Sequence, residues 1–223
     1  MNRPNSRKVG CHLHSLQNLL YEKRAGIAYV TINRPQAMNA LSHAALDELR
    51  SVMEDARQDP VVHGVIMTGA GEQAFVTGAD IGENPSISAA EAQAFKHSGQ
   101  LAFALIEQLG KPVIAAVNGL TFGEGCELAM ACTWRLATAH ARFGRPEAKA
   151  SFVSGFGGTQ RLLRLVGKGR ALQLILTASE IDAMEAQRNG LVHEIVDAGQ
   201  LIPRAETILA AAARAQRALS ARE

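Results

Sequence analysis

Apolar residues in this chain alternate between short β-rich runs and stretches with helical spacing. Leu19–Lys23 and Ile27–Asn33 have the composition of two short strands, joined by a turn at Ala25-Gly26. From Ser42 to Arg57 the apolar residues recur every three or four positions, which predicts an amphipathic helix with Ser42 as its N-cap. The N-terminal part therefore predicts a pair of strands followed by a helix.

The same pattern continues along the chain, with glycine and proline separating the elements. Further β-rich runs predict strands at Val61–Thr68, Ala74–Val76, Val113–Val117 and Arg135–Thr138. Helical spacing predicts further helices at Ala89–Leu109, Glu124–Thr133, Gly157–Val166, Ala171–Leu176, Ala183–Asn189 and Arg204–Ala218. Alternating strands and helices predict an α/β fold, and we expect the C-terminal third to be purely helical.

The composition narrows the class of protein. Over 223 residues it is 47% hydrophobic and 20% charged, which is typical of a globular protein and excludes a disordered chain, a collagen-like repeat and a coiled coil. The apolar runs are too short for a membrane-spanning helix. A net charge of +2 and an aromatic content of 4% give little reason to expect nucleic-acid binding. We therefore expect neither a membrane nor a nucleic acid as partner.

The cysteines and the N-terminal residues indicate the cellular compartment in which we expect the protein. Cys11, Cys126 and Cys132 form no CxxC pair and follow no secretory signal, which predicts reduced thiols in the cytoplasm. Residues 1–15 carry basic side chains and no acidic one. We expect a flexible N-terminal tail there, with a transit peptide as the alternative.

Two glutamates are candidates for acid–base chemistry because of their surroundings. Glu127 falls in the first turn of a predicted helix, after a glycine-rich entry and before the apolar run Leu128–Cys132. Glu147 follows the turn Gly144-Arg145-Pro146, from which a carboxylate can point into a cleft. Burial beside an apolar ligand brings a carboxyl group toward the range useful for acid–base catalysis. The structural alternatives are a dipole-favoured helix acid for Glu127 and a solvated or arginine-paired turn residue for Glu147.

Two backbone turns are candidates for binding a ligand through their N–H groups. One is Thr77-Gly78-Ala79-Asp80, which follows a predicted strand, and the other runs from Gly119 to Gly125 between a strand and a helix. Two convergent N–H groups make an oxyanion hole, and a helix N-terminus strengthens one of them. Neither turn has a nucleotide-binding pattern, and the turn Gly155–Gly158 by itself indicates only a tight bend. Seven scattered histidines show no metal-ligand spacing, so we expect no metal site.

Taken together, the motifs resemble those of the enoyl-CoA hydratase/isomerase family, also called crotonases. No single motif is distinctive, but their order and spacing along the chain are specific to the family. The matching segments are Asn33-Arg34-Pro35 with Met38-Asn39-Ala40-Leu41, Thr68-Gly69-Ala70-Gly71, Ala74 to Ile81, Lys111 to Gly119, Gly125-Cys126-Glu127-Leu128-Ala129, Arg142 to Glu147, and Gly155 to Leu162.

This resemblance implies a fold and a substrate. The fold is the ClpP/crotonase-like arrangement of repeated β-β-α units, with two sheets wrapped by helices. The substrate is an acyl-CoA thioester whose oxygen would lie between the backbone N–H groups of Ala79 and Glu124. The implied contacts of the substrate and its CoA arm are Asn39, Ala40, Leu41, Gly78, Ala79, Asp80, Ile81, Gly82 and Gly125.

The resemblance also implies an activity. Glu127 and Glu147 match the two glutamates of the family's hydratases, which add water across the 2,3-double bond of a 2-enoyl-CoA to give a 3-hydroxyacyl-CoA. Both would hold the water, and Glu147 would deliver a proton to the α-carbon. The reaction implies no metal or organic redox cofactor, because CoA enters as part of the substrate. By family resemblance we also expect a homo-oligomer, a trimer or a hexamer.

Position 124 and the chain's end leave alternatives open. The family usually has glycine where Glu124 stands, so its carboxylate could repel a developing oxyanion or could face away and interact with the helix dipole. We expect a core domain over 16–200 and a shortened C-terminal helical segment over 201–223. The alternatives to a hydratase are an isomerase or another enolate-forming acyl-CoA enzyme, and a non-catalytic paralogue that binds acyl-CoA.

Overall fold

Two β-sheets form the centre of the fold. A computed structural model describes residues 16–80, 88–144 and 155–220. The strands are β1 (Leu19–Arg24), β2 (Ile27–Ile32), β3 (Gly64–Gly69), β4 (Ala74–Val76), β5 (Val113–Val117), β6 (Leu120–Phe122), β7 (Trp134–Thr138), β8 (Arg142–Gly144), β9 (Ile181–Asp182) and β10 (Glu194–Val196). The first sheet has six strands in the order β1-β2-β3-β5-β7-β10, and the second has four in the order β4-β6-β8-β9.

Helices connect and cover these strands. They are α1 (His43–Gln58), α2 (Ala89–Glu107), α3 (Glu124–Ala131), α4 (Gly158–Val166), α5 (Lys168–Thr177), α6 (Ala183–Arg188) and α7 (Leu201–Ser220). In the six-stranded sheet β1 and β2 are antiparallel, and the neighbours from β2 to β10 pair in parallel. Parallel neighbours need crossover connections, and α1 supplies the one from β2 to β3.

Both faces of the six-stranded sheet are buried at its central strands, such as β3 and β5. The main core lies on one face, where α1 contributes six buried residues. On the other face, Ile66 and Ile114 pack with Leu201, Ala205 and Leu209 of α7. This two-sided burial explains why β5 is a continuous apolar run rather than an alternating one.

Most of the sequence-based elements are confirmed, with ends shifted by a few residues. The turn at Ala25-Gly26 has the positive φ angles of a tight connection, 50° and 76°. Ser42 is the N-cap of α1, because its side chain accepts a hydrogen bond from the N–H of Ala45 at 3.1 Å. The fold expected from the resemblance, mixed α/β with two sheets, is also confirmed.

Three expectations were wrong in detail. The C-terminal third is not purely helical, because it contains β9 and β10. The segment from Gly119 to Gly125 is not a simple turn, because it contains β6, and β8 was not expected at all. These strands have two or three residues each, too few for a visible alternation of apolar and polar positions.

The last helix begins earlier than its periodicity indicated. It starts at Leu201 rather than Arg204, with Pro203 in its first turn. Proline is tolerated there because the first N–H groups of a helix have no intrahelical partner. The expected tail at residues 1–15 lies outside the described residues, as do Ile81, Gly82 and Glu147.

Candidate active site

The first turn of α3 is held directly against strand β4. A Cβ atom added to Gly125 would lie 1.9 Å from the carbonyl oxygen of Val76, so only glycine permits this approach. The N-cap residue Gly123 has φ 51° and ψ −119°, a backbone conformation that other residues rarely adopt. These two glycines place the start of α3, and with it Glu124, next to the chain that leaves β4.

The chain leaving β4 is paired with the segment that leaves β2. Leu41 donates its N–H to the carbonyl of Gly78 at 2.8 Å, and Asp80 donates its N–H to the carbonyl of Leu41 at 2.9 Å. This is a parallel bridge between Leu41 and Ala79. In such a bridge the middle residue directs its own N–H to the opposite side. The Ala79 N–H is therefore directed away from Leu41.

Polar side chains fix the same junction. Arg34 forms an ion pair with Asp80 at 2.7 Å and donates to the carbonyl of Ala40 at 2.5 Å. Asn39 is 1% exposed, and its amide donates to the carbonyls of Ala70 and Ala74 at 3.0 and 2.8 Å. The Asn39 side chain thus holds these loops together.

Glu127 also lies in the first turn of α3, and it is completely buried. Its N–H donates to the carbonyl of Gly123 at 3.2 Å, which continues the helix. A Cβ atom on Gly158 would lie 2.4 Å from both Cγ and Oε1 of Glu127. The carboxylate therefore lies against the first residue of α4, where the partial positive charge of a helix N-terminus stabilises an anion.

The turn before α4 is anchored to α2, and this is the site feature that sequence reasoning missed. Gly157 has φ 97° and forms the N-cap of α4. Arg161 donates to the carbonyl of Phe156 at 2.5 Å and pairs with Glu107 of α2 at 2.6 Å. The available signal was the pair of glycines at 157 and 158 followed by Arg161. By itself this turn was interpreted as a tight bend, and it was otherwise used only as one of the motifs of the family.

A buried arginine holds the other end of α3. Arg135 is 2% exposed, and it donates to the carbonyls of Cys132 at 2.6 Å and Leu191 at 2.7 Å. Burial lowers the pKa of this guanidinium and raises the pKa of the neighbouring Cys132 thiol to about 12. The cation also complements the negative end of the α3 dipole. Both ends of the helix that carries Glu127 are thus fixed.

The structure brings together most of the residues expected at the site. Gly78, Ala79, Asp80 and Leu41 meet at one junction, and Glu124 and Gly125 adjoin it from α3. Glu127 lies further along α3, against Gly158. Among the residues that the structure describes, there is no group of three or more side chains that could hold a metal ion. Within the described ranges, no helix is both long enough and apolar enough to cross a membrane.

Comparison with known proteins identifies the family. The family model described as Enoyl-CoA hydratase/isomerase matches residues 22–222 of this chain. The match covers far more than half of the sequence and includes both sheets. The chain therefore belongs to the enoyl-CoA hydratase/isomerase family, as the motifs predicted.

Individual relatives agree with this assignment. The chain is similar to the crotonyl-CoA hydratase of Syntrophomonas wolfei, with 48% identity over 86% of this chain and 74% of that protein. It is also similar to the short-chain-enoyl-CoA hydratase of Clostridium acetobutylicum, with 49% identity over the same shares. The crystal structure of an enoyl-CoA hydratase from Bacillus anthracis superposes with a TM-score of 0.86 at 37% identity, covering 88% of this chain and 77% of that one.

Proposed function

We propose that this protein hydrates a short-chain 2-enoyl-CoA to the corresponding 3-hydroxyacyl-CoA. The observation that carries the proposal is the position of Glu127, a completely buried carboxylate between the start of α3 and the N-terminus of α4. A carboxylate is rarely buried without a partner or a chemical task. The short acyl chain is supported by the two relatives named for crotonyl-CoA and short-chain enoyl-CoA.

The backbone supplies the electrophilic part of the mechanism. When water attacks the β-carbon of a conjugated thioester, negative charge develops on the thioester oxygen. The N–H of Ala79 and the N–H of Glu124 would donate to this oxygen, the second from a helix N-terminus. Loss of one such donor costs on the order of 10²–10³ in rate.

The carboxylates supply the proton transfers. Glu127 and Glu147 would hold one water between them, and one of the two would take its proton as it attacks. Glu147, which lies outside the described residues, would deliver a proton to the α-carbon. Each positioned acid–base group contributes typically about 10²–10⁴ in rate.

The proposal extends to partners and compartment. Hydration is redox-neutral and the N–H groups polarise the carbonyl, so the reaction calls for no cofactor other than the CoA of the substrate. The segments 39–41 and 78–82, with Gly125, would contact the thioester and the CoA arm. We place the protein in the cytoplasm as a homo-oligomer, a trimer or a hexamer, in keeping with the family and with Cys126 and Cys132, which are buried and form no disulfide within the part of the chain that the structure describes.

Hydration of crotonyl-CoA tests the proposal, measured as loss of the ultraviolet absorbance of the conjugated thioester. We expect the wild-type protein to form 3-hydroxybutyryl-CoA, and Glu127→Gln and Glu147→Gln each to lose about 10²-fold or more in kcat. Glu22→Gln is the matched control, because that side chain is 63% exposed on β1.

Two other outcomes would redirect the assignment. If the protein shifts the double bond of a 3-enoyl-CoA but does not hydrate crotonyl-CoA, it is an isomerase of the same family. If it binds butyryl-CoA and turns over neither substrate, it is a non-catalytic acyl-CoA-binding paralogue. The residue that favours this second candidate is Glu124, whose carboxylate lies beside the oxyanion position.

A further inference from the structure

One arginine side chain is hydrogen-bonded into the backbone that carries the Ala79 N–H. Arg34 lies shortly before the segment 39–41, and its side chain is only 16% exposed. One nitrogen of its guanidinium donates to the carbonyl of Ala40 at 2.5 Å, and the other donates to the carboxylate of Asp80 at 2.7 Å. A planar guanidinium holds two such partners in a fixed geometry, whereas the ammonium of lysine is a point charge. Arg34 thus joins the segment expected to contact the CoA arm to the chain that leaves β4.

The main chain of Arg34 is also held in place. Its N–H donates to the side-chain oxygen of Asn39 at 3.0 Å, and its carbonyl accepts from the N–H of Asn39 at 2.9 Å. The Asn39 amide in turn donates to the carbonyls of Ala70 and Ala74. The guanidinium therefore extends from a backbone that is itself fixed.

Two peptide units connect the Arg34 guanidinium to the N–H of Ala79. The carbonyl of Ala40 and the N–H of Leu41 belong to one unit, and that N–H donates to the carbonyl of Gly78 at 2.8 Å. The carbonyl of Gly78 and the N–H of Ala79 belong to the next unit. Both units are trans and planar, so the carbonyl and the N–H of each point in opposite directions. The hydrogen bonds therefore run in one direction, from the guanidinium through both units to the N–H of Ala79.

A chain of this kind strengthens its last donor. A carbonyl that accepts from a cation becomes more polarised, and the N–H of the same peptide unit then becomes a better donor. Hydrogen bonds with an ionised partner are about twice as strong as neutral ones. Successive bonds in a chain strengthen one another by roughly 10–30% each. Here the guanidinium of Arg34 is the charged end, and the N–H of Ala79 is the last donor.

We infer that Arg34 is a positioning residue for the hydration reaction, because it orients and polarises the N–H of Ala79 for the thioester oxygen. The inference rests on the proposed function, in which that N–H donates to this oxygen. The negative charge on the oxygen grows as water attacks the β-carbon. A weakened or displaced donor therefore raises the barrier more than it weakens the binding of the substrate.

Two variants of Arg34 test the inference by kinetics. Arg34→Met keeps the approximate length of the side chain and removes its charge and both of its donors. We expect kcat for crotonyl-CoA to fall about 10–100-fold, with KM changed less than about threefold. Arg34→Lys returns a charged donor without the planar geometry, so it should recover part of the loss. Arg57→Met is the matched control with unchanged kcat, because Arg57 forms its ion pair with Glu54 at the surface of α1.

A binding measurement gives a second readout that does not depend on turnover. Butyryl-CoA, labelled with ¹³C at the thioester carbonyl, reports through its infrared stretching frequency how strongly the N–H groups polarise that bond. We expect the frequency of the ligand bound to Arg34→Met to lie closer to its value in water than in the wild-type complex, with Arg34→Lys between the two. Arg57→Met should give the wild-type frequency. A loss of stability alone would reduce the amount of bound ligand without changing this frequency.

The outcomes distinguish this inference from the proposed function. If Arg34→Met reverses a lowered carbonyl frequency but no protein hydrates crotonyl-CoA, the hydratase assignment fails and the role of Arg34 stands. If hydration depends on Glu127 but the frequency is the same in the wild type and in both Arg34 variants, the inference is overturned and the function stands. If the wild type does not lower the frequency, the N–H of Ala79 is not a donor to this oxygen, and the inference is overturned as well. Should Arg34→Met fail to fold, Arg34→Lys decides between these outcomes.

Discussion

The two sheets of this protein differ in the length of their strands and in their distance from the candidate active site. The six-stranded sheet is built mostly of strands of five or six residues that are buried on both faces, and it carries the core. The four-stranded sheet has strands of two or three residues, and α3 approaches its strand β4 at van der Waals distance. The candidate active site lies on the second sheet. Apolar burial thus contributes to both regions, and the close backbone contact with α3 distinguishes the second.

The largest loss of activity should follow a change at the contact between α3 and β4. Gly125→Ala would place a Cβ atom 1.9 Å from the Val76 carbonyl oxygen, so one of the two backbones must move. We expect kcat for crotonyl-CoA to fall more than about 100-fold, because the movement displaces the Glu124 donor. The free energy of unfolding should fall by about 3 kcal/mol.

A matched glycine elsewhere serves as the control for this prediction. Gly169 lies in α5, and an added Cβ atom there would have no neighbour within 4 Å. Gly169→Ala should therefore leave kcat unchanged and stabilise the helix by about 0.5–1 kcal/mol. Equal losses of activity in the two variants would show that the contact with Val76 does not position the site.

Arg135 connects the large sheet with α3. It belongs to β7, and it donates a hydrogen bond to the carbonyl of Cys132 at the end of α3. Arg135→Met would leave the buried carbonyls of Cys132 and Leu191 without this donor. We expect a loss of about 3 kcal/mol in the free energy of unfolding, measured by urea denaturation, with kcat reduced less than about tenfold. A large loss of kcat without a loss of stability would contradict a structural role.

The N-cap of α1 offers a change that should affect only stability. Ser42→Ala removes the side chain that accepts from the Ala45 N–H at 3.1 Å. Loss of such a cap costs about 1 kcal/mol. Thermal unfolding should show this decrease while crotonyl-CoA hydration stays at the wild-type rate. Reduced hydration at full stability would instead connect α1 to the active site.

The smallest expected effect is a pH dependence of the free energy of unfolding, caused by a histidine at the edge of the large sheet. Burial, and secondarily the nearby Arg135 charge, lowers the pKa of His193, which stacks on Trp134 at a ring distance of 4.0 Å. The unfolded chain then binds more protons below about pH 6.5, so stability is lost as the pH falls through that value. The decrease should be well under about 1 kcal/mol at pH 6.

The single tryptophan reports on this titration directly. Protonation of His193 against the indole should change the fluorescence of Trp134, with a midpoint below about pH 6.5. His193→Gln should abolish the change. A midpoint at or above pH 6.5 would mean that the imidazole is not buried as described.

What could be predicted from sequence follows this division only in part, because β4 of the small sheet was predicted and β10 of the large sheet was not. The large sheet and its helices follow from local patterns: the turn at Ala25-Gly26, the cap at Ser42 and the apolar run of Val113–Val117 were all recognised before the structure. The strands β6, β8, β9 and β10 were missed, because pairs of two or three residues depend on distant partners.

Only part of the candidate site could be predicted from sequence. Glu127 was found because a glutamate inside an apolar helix is improbable unless it has a task. The approach of Gly125 to Val76 and of Gly158 to Glu127 could not be predicted, because each joins segments far apart in the chain. A glycine in a sequence can indicate that another segment approaches closely, but the sequence does not show which segment that is.

The central claim is that the N–H groups of Ala79 and Glu124 converge on the thioester oxygen. Isotope-edited infrared spectroscopy of bound butyryl-CoA, labelled with ¹³C at the thioester carbonyl, tests it most directly. Two converging donors withdraw electron density from the carbonyl bond, so we expect a stretching frequency clearly lower than that of the same ligand in water. A bound ligand whose carbonyl frequency equals or exceeds the value in water would contradict it.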